Sequence, residues 1–235
     1  MVKEAVSFYF KEKRPEEFGS FLYDLPEIKS ANEKYTQTNI PGRAGSLLTS
    51  NGSVQNIEIK CTLSIVNKRI LSTLRNLKEW LLGNGKLSFT ETPDSYYEVL
   101  WVDHGDIARQ VRKYGQFTVT FICIPYEFEI TGKESYTLPS SGILNNPFQE
   151  SMPVYKITGE GMCTLTVNGN EMTANIGQNL TIDTRRMSAY RTDGTVMNTS
   201  VTGDYEKLHL LHGSNAISVS SGFQLEVIPY WGWKA

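Results

Sequence analysis

The fold of this chain is decided by the stretch Ile57-Glu-Ile-Lys-Cys-Thr-Leu-Ser-Ile65, in which apolar and polar residues alternate. Successive side chains of a strand point to opposite faces, so this alternation predicts a β-strand with one buried face. Gly115-Gln-Phe-Thr-Val-Thr-Phe-Ile-Cys-Ile124 repeats the pattern. Pro125 follows and is expected to end that strand or place it at an edge, because proline has no backbone donor. Lys86-Leu-Ser-Phe-Thr90 and Tyr97-Glu-Val-Leu-Trp-Val102 are rich in strand-favouring residues, so the first half of the chain is predicted to be a β-domain.

One helix is predicted within this domain, over residues 67–82. Its apolar residues recur at helical spacing and form a single stripe. They are Ile70, Leu74, Leu77 and Leu81, with Trp80 beside them. Asn67 is a suitable N-cap, and Gly83 can supply the left-handed residue that commonly ends a helix. We interpret this helix as a packing element that covers a face or an edge of the sheet.

The character of the chain changes after about residue 131, where turn residues concentrate between Gly132 and Pro147. Short strand candidates follow, and Asn168-Gly169 between two of them is a strong hairpin signal. These strands are Val154-Tyr-Lys-Ile-Thr158, Cys163-Thr-Leu-Thr-Val167, Leu180-Thr-Ile-Asp183, Ala216-Ile-Ser-Val219 and Phe223-Gln-Leu-Glu-Val-Ile228. Their regular spacing predicts a second antiparallel sandwich, so we divide the chain into domains at 1–133 and 134–235.

The composition excludes several classes of protein. A net charge of −2 offers no excess of lysine and arginine for tracking a phosphate backbone, so we expect no direct nucleic-acid partner. No apolar run approaches the roughly 20 residues that span a bilayer, and acidic Glu4 breaks the pattern of a secretory signal. We therefore expect synthesis and folding in a cytoplasm. The three scattered cysteines, Cys61, Cys123 and Cys163, are expected to be small hydrophobic residues within strands.

Catalytic chemistry has little support in the sequence. His209 and His212 are three residues apart, but the strand and turn residues around them make a shared metal ion improbable. Asp94, Asp103 and Asp106 are candidates for the acid pair of a glycoside hydrolase, although spacing alone does not give a carboxyl separation. The usual hydrolase, metalloprotease and phosphate-binding motifs are missing from the sequence. We predict no catalytic residue, no metal site and no cofactor, and keep a cell-wall glycosidase as the third hypothesis.

Two tryptophans near the end of the sequence leave a choice open. In Tyr230-Trp-Gly-Trp233, the rings of Trp231 and Trp233 have the chemistry to stack on sugars. They are equally suited to filling a core or a contact between subunits, which we favour. The sugar interpretation supports a carbohydrate-binding module for host cell-wall polysaccharide as the second hypothesis.

Several segments, taken in order, resemble the distal tail protein family of long-tailed bacteriophages (siphophages). They are Ile40-Pro-Gly-Arg-Ala-Gly-Ser46, the helix ending in Trp80-Leu-Leu-Gly83, Thr92-Pro-Asp-Ser-Tyr-Tyr97, the strand that precedes Pro125, Ile182-Asp183, Ala189-Tyr190, Gly203-Asp204, Gly213-Ser-Asn215 and Leu225-Glu-Val-Ile-Pro-Tyr-Trp231. Each is a generic turn or strand, and their order along nearly the whole chain carries the resemblance. Relatives often have a proline before the leucine of the Leu208-to-His212 stretch, which this sequence lacks.

The resemblance implies a mainly β protein with an N-terminal β-sandwich that carries one helix and a C-terminal galectin-like β-sandwich. It implies a non-enzymatic subunit of a six-fold ring at the distal end of the virion tail. The implied partners are further copies of the chain, the tail tube protein, a tail-associated tip protein and receptor-binding components.

The stretch from Pro41 to Ser53 is rich in glycine and serine and has two interpretations. It is either a hairpin arm that reaches the next subunit or a solvent-exposed loop. In the first case Pro41, Gly42 and Arg43 lie at a subunit interface, where the planar guanidinium of Arg43 is suited to holding a carboxylate or backbone carbonyls.

Overall fold

The computed structural model of the chain describes residues 6–66, 70–111 and 114–235; for residues 51 and 106–111 it describes the backbone alone. The chain forms two compact units, Met1–Glu127 with Lys234–Ala235, and Phe128–Trp233. The sequence places the division at residue 133, whereas these units divide after Glu127. The second unit is thus inserted between two segments of the first.

The first unit is built on an antiparallel sheet. Its strands in the described residues are β1 (Phe8–Phe10), β2 (Ser20–Leu22), β3 (Glu27–Ile28), β4 (Glu33–Thr38), β5 (Leu47–Val54), β6 (Ile57–Val66), β7 (Gly85–Phe89), β8 (Thr92–Val111) and β9 (Tyr114–Glu129). The sheet order is β1-β7-β8-β9-β6-β2, and β3 also pairs with β6. Strands β4 and β5 form a separate two-stranded sheet. A 3-10 turn, Pro15–Phe18, connects β1 to β2.

The alternating segments form the central strands, as the sequence predicts. Ile59 lies opposite Phe121 and Cys61 opposite Val119 in the β6–β9 register, and all four side chains are fully buried. Strand β9 continues to Glu129, so of the two expectations for Pro125 the one that it ends the strand is wrong. Its neighbour there is the final segment of the chain, where the amide of Ala235 donates to the carbonyl of Pro125, an interaction that needs no donor from proline.

Helix α1 (Ile70–Trp80) confirms the predicted helix; residues 67–69, including the proposed N-cap Asn67, lie outside the described residues. The predicted apolar stripe is buried against the sheet, and Gly83 adopts the left-handed conformation with φ +79°. Trp80 stacks on Phe18 at 4.7 Å between ring centroids, and its indole Nε1 donates to the carbonyl of Phe10 at 3.0 Å. The helix is therefore fixed by apolar packing and by one hydrogen bond across the core.

The second unit is also antiparallel. Its strands are β10 (Tyr136–Leu138), β11 (Ser141–Asn146), β12 (Val154–Val167), β13 (Asn170–Asp183), β14 (Ser188–Tyr190), β15 (Val201–Thr202), β16 (Gly213–Val219) and β17 (Gln224–Ile228), with 3-10 turns at Ile130–Lys133, Asn198–Ser200 and Glu206–Leu208. The last strand, β18 (Gly232–Lys234), pairs with β9 and so belongs to the first sheet. One part of the sheet has the order β10-β17-β12-β13-β14, and β11 and β16 pair beside the distal half of β12. A mainly β chain with a single α-helix in its described residues confirms the predicted fold class.

A long bent hairpin holds the second unit together. The two separate strands predicted at 154–158 and 163–167 are one strand, β12, which pairs with β17 before Gly159 and with β16 after Thr164. Gly159 has φ +154° and Gly161 φ +99°, so the backbone bends without leaving the β13 register. The Asn168-Gly169 turn is confirmed, because both residues have positive φ and Val167 pairs with Asn170.

A buried amide locks the neighbouring loop. Asn215 is fully buried, and its Nδ2 donates to the carbonyls of Leu211 and Gly213 at 2.8 and 2.9 Å. Its Oδ1 accepts from the amide of Leu211 and from Nδ2 of Asn168, both at 2.8 Å. Asn215 thereby ties the loop before β16 to the β12–β13 turn.

Candidate functional site

The most unusual feature of the first unit is an exposed segment, residues 21–50. Almost every side chain in it is open to solvent. Eight large apolar side chains are among them: Phe21, Tyr23, Leu25, Ile28, Tyr35, Ile40, Leu47 and Leu48. Such a concentration of exposed large apolar side chains in one segment is typical of a protein–protein contact.

The hairpin formed by β4 and β5 makes up the second half of this segment. All six residues of β4 are exposed, so the hairpin projects from the core of its unit. In its register Tyr35 lies opposite Ser50 and Gln37 opposite Leu48, which places Tyr35 and Leu48 on the same face. Of the two interpretations of this region, the structure has a hairpin, with Tyr35 and Leu48 exposed on one face; that it reaches a neighbouring subunit stays a prediction.

The residues proposed for a subunit interface lie in the turn of this hairpin. Pro41, Gly42 and Arg43 are exposed, and the amide of Arg43 donates to the carbonyl of Ile40 at 3.2 Å. Gly42 has φ +82° with open space around it. Among the described residues Arg43 has no ion pair, so its guanidinium is available to a partner. Their role at an interface stays a prediction.

The base of the hairpin is fixed by polar contacts. Nζ of Lys234 lies 3.2 Å from Oε1 of Glu33, and the hydroxyl of Tyr35 donates to the other oxygen at 3.0 Å. The hydrogen bond from Lys234, followed by that from Tyr35, lowers the pKa of Glu33 below its ordinary value. The amide of Gln55 donates to the carbonyl of Asn32 at 2.9 Å and closes the base.

A cavity of about 570 Å³ lies at the other end of the sheet, on the outer face of β1 and β7. It is lined by Tyr9, Lys11, Glu12, Lys86 and Ser88, and we call it the basic pocket. Lys11 and Glu12 form a two-residue turn in which both have positive φ, at +50° and +64°. Such turns normally contain asparagine and glycine, so two charged residues are held here in a strained backbone. Nζ of Lys86 lies 4.6 Å from the ring centre of Tyr96.

The two tryptophans considered for sugar stacking differ in exposure. Trp231 is 4% exposed and packs with Tyr136 and Phe148 in the core of the second unit, so neither face of its ring is free for a sugar. Trp233 is 38% exposed and meets Phe148 edge to face at 4.8 Å. Only the core interpretation therefore fits Trp231, and a sugar platform is restricted to Trp233.

The side chains considered for catalysis do not converge. Nδ1 of His209 lies 2.8 Å from Oε1 of Glu150, whereas Nδ1 of His212 lies 2.8 Å from the carbonyl of Phe148. Within residues 6–66, 70–111 and 114–235, no group of three or more histidine, cysteine or acidic side chains is arranged to hold a metal ion. Asp94 and Asp103 are exposed, and the Asp106 side chain lies outside the described residues.

The cysteines are buried free thiols. Burial raises the pKa of Cys61 and of Cys123 to about 12, and Cys163 is shifted in the same direction. A thiol with a raised pKa is a weak nucleophile at neutral pH. No helix in the described residues has the length and apolar character needed to cross a membrane.

Sequence reasoning missed two features of this site, the exposure of residues 21–28 and the basic pocket. Phe21-Leu-Tyr23 has the composition of a buried strand, and the residue types alone do not distinguish an exposed edge strand from a strand in the core. The positive φ values of Lys11 and Glu12 also have no signal in the sequence, because neither residue favours that conformation.

Comparison with known proteins gives two results. Residues 16–123 match the family described as the phage tail protein RIFT-related domain. The crystal structure of the Dit protein (gp 19.1) of phage SPP1, described as a paradigm of the hub adsorption apparatus in phages that infect Gram-positive bacteria, superposes with a TM-score of 0.69 at 10% sequence identity. The match covers 95% of this chain and 98% of the SPP1 protein, so the two share a fold. No curated protein matches the chain by sequence.

Proposed function

We propose that this chain is a member of the distal tail protein family of siphophages and that it forms a ring that joins the tail tube to the tail-tip apparatus. The match to a phage tail domain and the fold shared with a tail hub protein support a structural, non-enzymatic role in the phage tail. We place it at the distal end of the virion tail, after synthesis in the cytoplasm of the bacterial host. Its proposed partners are its own copies, the tail tube protein, a tail-associated tip protein and receptor-binding components, with no direct binding to nucleic acid or membrane.

The observation that carries this proposal is the exposed segment. Eight large apolar side chains within 30 residues are unfavourable on a monomer, because each leaves apolar surface in water. A further copy of the chain that covered them would gain about 25 cal/mol for each Å² of apolar area removed from water. A cyclic ring repeats one such contact between two different patches, so every subunit gives one patch and receives the other.

The hairpin is the part of the segment best suited to reach a neighbour. It has an apolar face in Tyr35 and Leu48, and its tip holds Arg43 with open space on all sides of Gly42. A guanidinium at the tip can donate two parallel hydrogen bonds to a carboxylate of the adjoining subunit, which sets the register of the contact as well as adding affinity. We therefore assign Pro41, Gly42 and Arg43 to the subunit interface.

The mass of the protein in solution tests the ring directly. Light scattering over a range of concentrations should give six times the 26.5 kDa chain mass, or near twice that for two stacked rings. Leu48→Asp should shift the mass toward one chain, since it places a charge on the apolar face of the hairpin. Met162→Asp, at a 69% exposed site in the second unit, is the matched control and should leave the mass unchanged. A single-chain mass at every concentration, or equal effects of the two variants, would overturn the proposal.

Arg43→Glu should also weaken the ring, because it replaces the cation at the hairpin tip with an anion. Normal assembly of this variant would show that Arg43 is not at the interface.

Carbohydrate binding is the second candidate function, and the exposed ring of Trp233 supports it. The ring stands against Phe148 with part of its surface open, which is the arrangement that stacking on a sugar requires. Cell-wall polysaccharide should then bind saturably and quench tryptophan fluorescence, and Trp233→Ala should abolish both effects. Quenching that persists in Trp233→Ala would exclude this site.

A further inference from the structure

We propose that the basic pocket on β1 and β7 receives residues 21–28 of the neighbouring subunit, and that opposite charges fix this contact. The inference rests on the proposed ring, and it names the two patches that meet in it. We call residues 21–28 the acidic strip, because they carry Asp24 and Glu27 among exposed apolar side chains.

The acidic strip presents exposed apolar side chains next to carboxylates, as a segment that binds another protein does. Phe21, Tyr23, Leu25 and Ile28 are each between 45% and 61% exposed. Oδ1 of Asp24 accepts a hydrogen bond from the amide of Leu25 at 3.1 Å, so the most exposed apolar side chain of the strip sits directly beside a carboxylate. An apolar side chain flanked by two acidic ones needs a partner cavity with apolar walls and a positive rim.

The basic pocket has these properties. Tyr9 lies opposite Ser88 on the outer face of the sheet, while Phe8 and Phe10 point into the core, so the pocket is separate from the core. Lys11, in the turn after β1, and Lys86, on β7, stand at its rim, and the amide of Lys11 donates to the carbonyl of Lys86 at 3.2 Å. Nζ of Lys11 donates to the carbonyl of Leu82, which holds its ammonium group in place.

Among the lining residues Lys11 and Lys86 outnumber the one acidic group, Glu12; Glu98 lies opposite Lys86 in the β7–β8 register but is not one of them. The net charge of the rim therefore favours the acidic strip over the hairpin tip, whose charged group is the cation Arg43. Opposite charges across an interface steer the encounter and exclude wrong registers, even where they add little affinity.

A subunit cannot fill its own pocket with its own strip. The amide of Tyr23 donates to the carbonyl of Thr62 at 2.8 Å, and Glu27 and Ile28 pair with Lys60 and Ile59. The strip is thus fixed to β6, whereas the pocket is on β1 and β7, and both β8 and β9 lie between β7 and β6 in the sheet order. The occupant must be a second copy, and a contact between two different patches is the kind that closes into a ring.

Charge reversal tests the pairing. Asp24→Lys and Lys86→Glu each place like charges in contact, and each should raise the concentration at half-assembly by at least about tenfold. The double variant Asp24→Lys/Lys86→Glu restores opposite charges and should assemble near the parent concentration. Lys156→Glu, an exposed lysine of β12 in the second unit, is the matched control and should have no effect. Circular dichroism confirms that each variant is folded.

A disulfide measurement keeps the test independent of electrostatic and folding effects. The native cysteines are buried, so Leu25→Cys and Ser88→Cys introduce the accessible thiols. A chain with both changes should give a ladder of linked species up to the ring size under oxidation. A mixture of the two single variants should stop at linked pairs. Either single variant linking to itself would show like patches in contact and overturn the proposal.

The outcomes separate this inference from the proposed function. A wild-type ring that is insensitive to both charge reversals, or a double variant that does not recover, overturns the docking and leaves the ring standing. A wild-type protein that stays a single chain at every concentration overturns the ring and the docking together.

Discussion

Replacing Asn215 with alanine should remove a large part of the stability of the second unit. The buried side chain makes four hydrogen bonds, to both backbone groups of Leu211, to the carbonyl of Gly213 and to Asn168. Each buried hydrogen bond contributes about 1 kcal/mol net, so their loss sums to about 4 kcal/mol. A domain is stabilised by roughly 5–15 kcal/mol in total, so this single change is expected to remove a large share of the free energy of unfolding of the second unit.

Urea unfolding followed by tryptophan fluorescence measures this effect, since Trp231 is buried in the core of the same unit. With an m-value of about 2 kcal/mol/M, the midpoint of the second unit should fall by about 2 M. Asn175→Ala, at an exposed position of β13, is the matched control and should change stability by less than about 0.5 kcal/mol. A midpoint for Asn215→Ala within about 0.5 M of the parent, at unchanged m-value, would refute the assignment of Asn215 as the tie between loop and hairpin.

Three further predictions concern packing and titration. Gly159→Ala places a methyl group against the Phe223 ring and should lower the free energy of unfolding of the second unit, measured with urea, by about 1–3 kcal/mol. Gly161→Ala shares the strain of a positive φ but meets no neighbouring atom, so it should cost less, and equal effects would contradict the steric argument. Trp80→Phe loses the hydrogen bond to β1 and should destabilise the first unit by about 1–2 kcal/mol in the same assay, and a fully stable variant would contradict it. Cys61 and Cys123 should resist a thiol reagent at pH 8 until the chain unfolds. Their folded pKa of about 12 exceeds the ordinary 9.0, so the free energy of unfolding, measured with urea, should fall as pH rises from 9 to 12. A free energy of unfolding that does not change over this pH range would contradict the raised pKa values.

The sequence predicts the elements of this fold well where burial follows a period. The alternation in residues 57–65 and 115–124 identifies β6 and β9, and the helical stripe identifies α1, because one buried face imposes that spacing. The Asn-Gly pair identifies the β12–β13 turn, because both of its residues favour positive φ. Local chemistry is sufficient in each case.

The sequence fails where tertiary context decides. Gly159-Glu-Gly161 has the composition of a turn, yet pairing on both sides keeps β12 continuous and reduces the glycines to a bend. Trp231 and Trp233 have the same chemistry two residues apart, and packing against Tyr136 and Phe148 buries the first. Pro125 stands within β9 because the pairing there uses its carbonyl group.

The candidate site divides in the same way. The hairpin tip at residues 41–43 could be predicted, because proline and glycine specify a turn from their own backbone preferences. The acidic strip and the basic pocket could not be, because each depends on which residues of distant strands become neighbours. Tyr9 and Ser88 are 79 positions apart and meet through the β1–β7 pairing alone.

Because Lys234 and Ala235 return to the first unit, the second unit is an insertion that another domain could replace. The amide of Ala235 lies 3.1 Å from the carbonyl of Pro125, and the amide of Ala31 donates to Ala235 in turn. The points at which the chain leaves the first unit and rejoins it are therefore neighbours in space. Another domain whose own ends lie close together fits the same two junctions without any rerouting of the sheet of the first unit, so the two units are free to evolve separately.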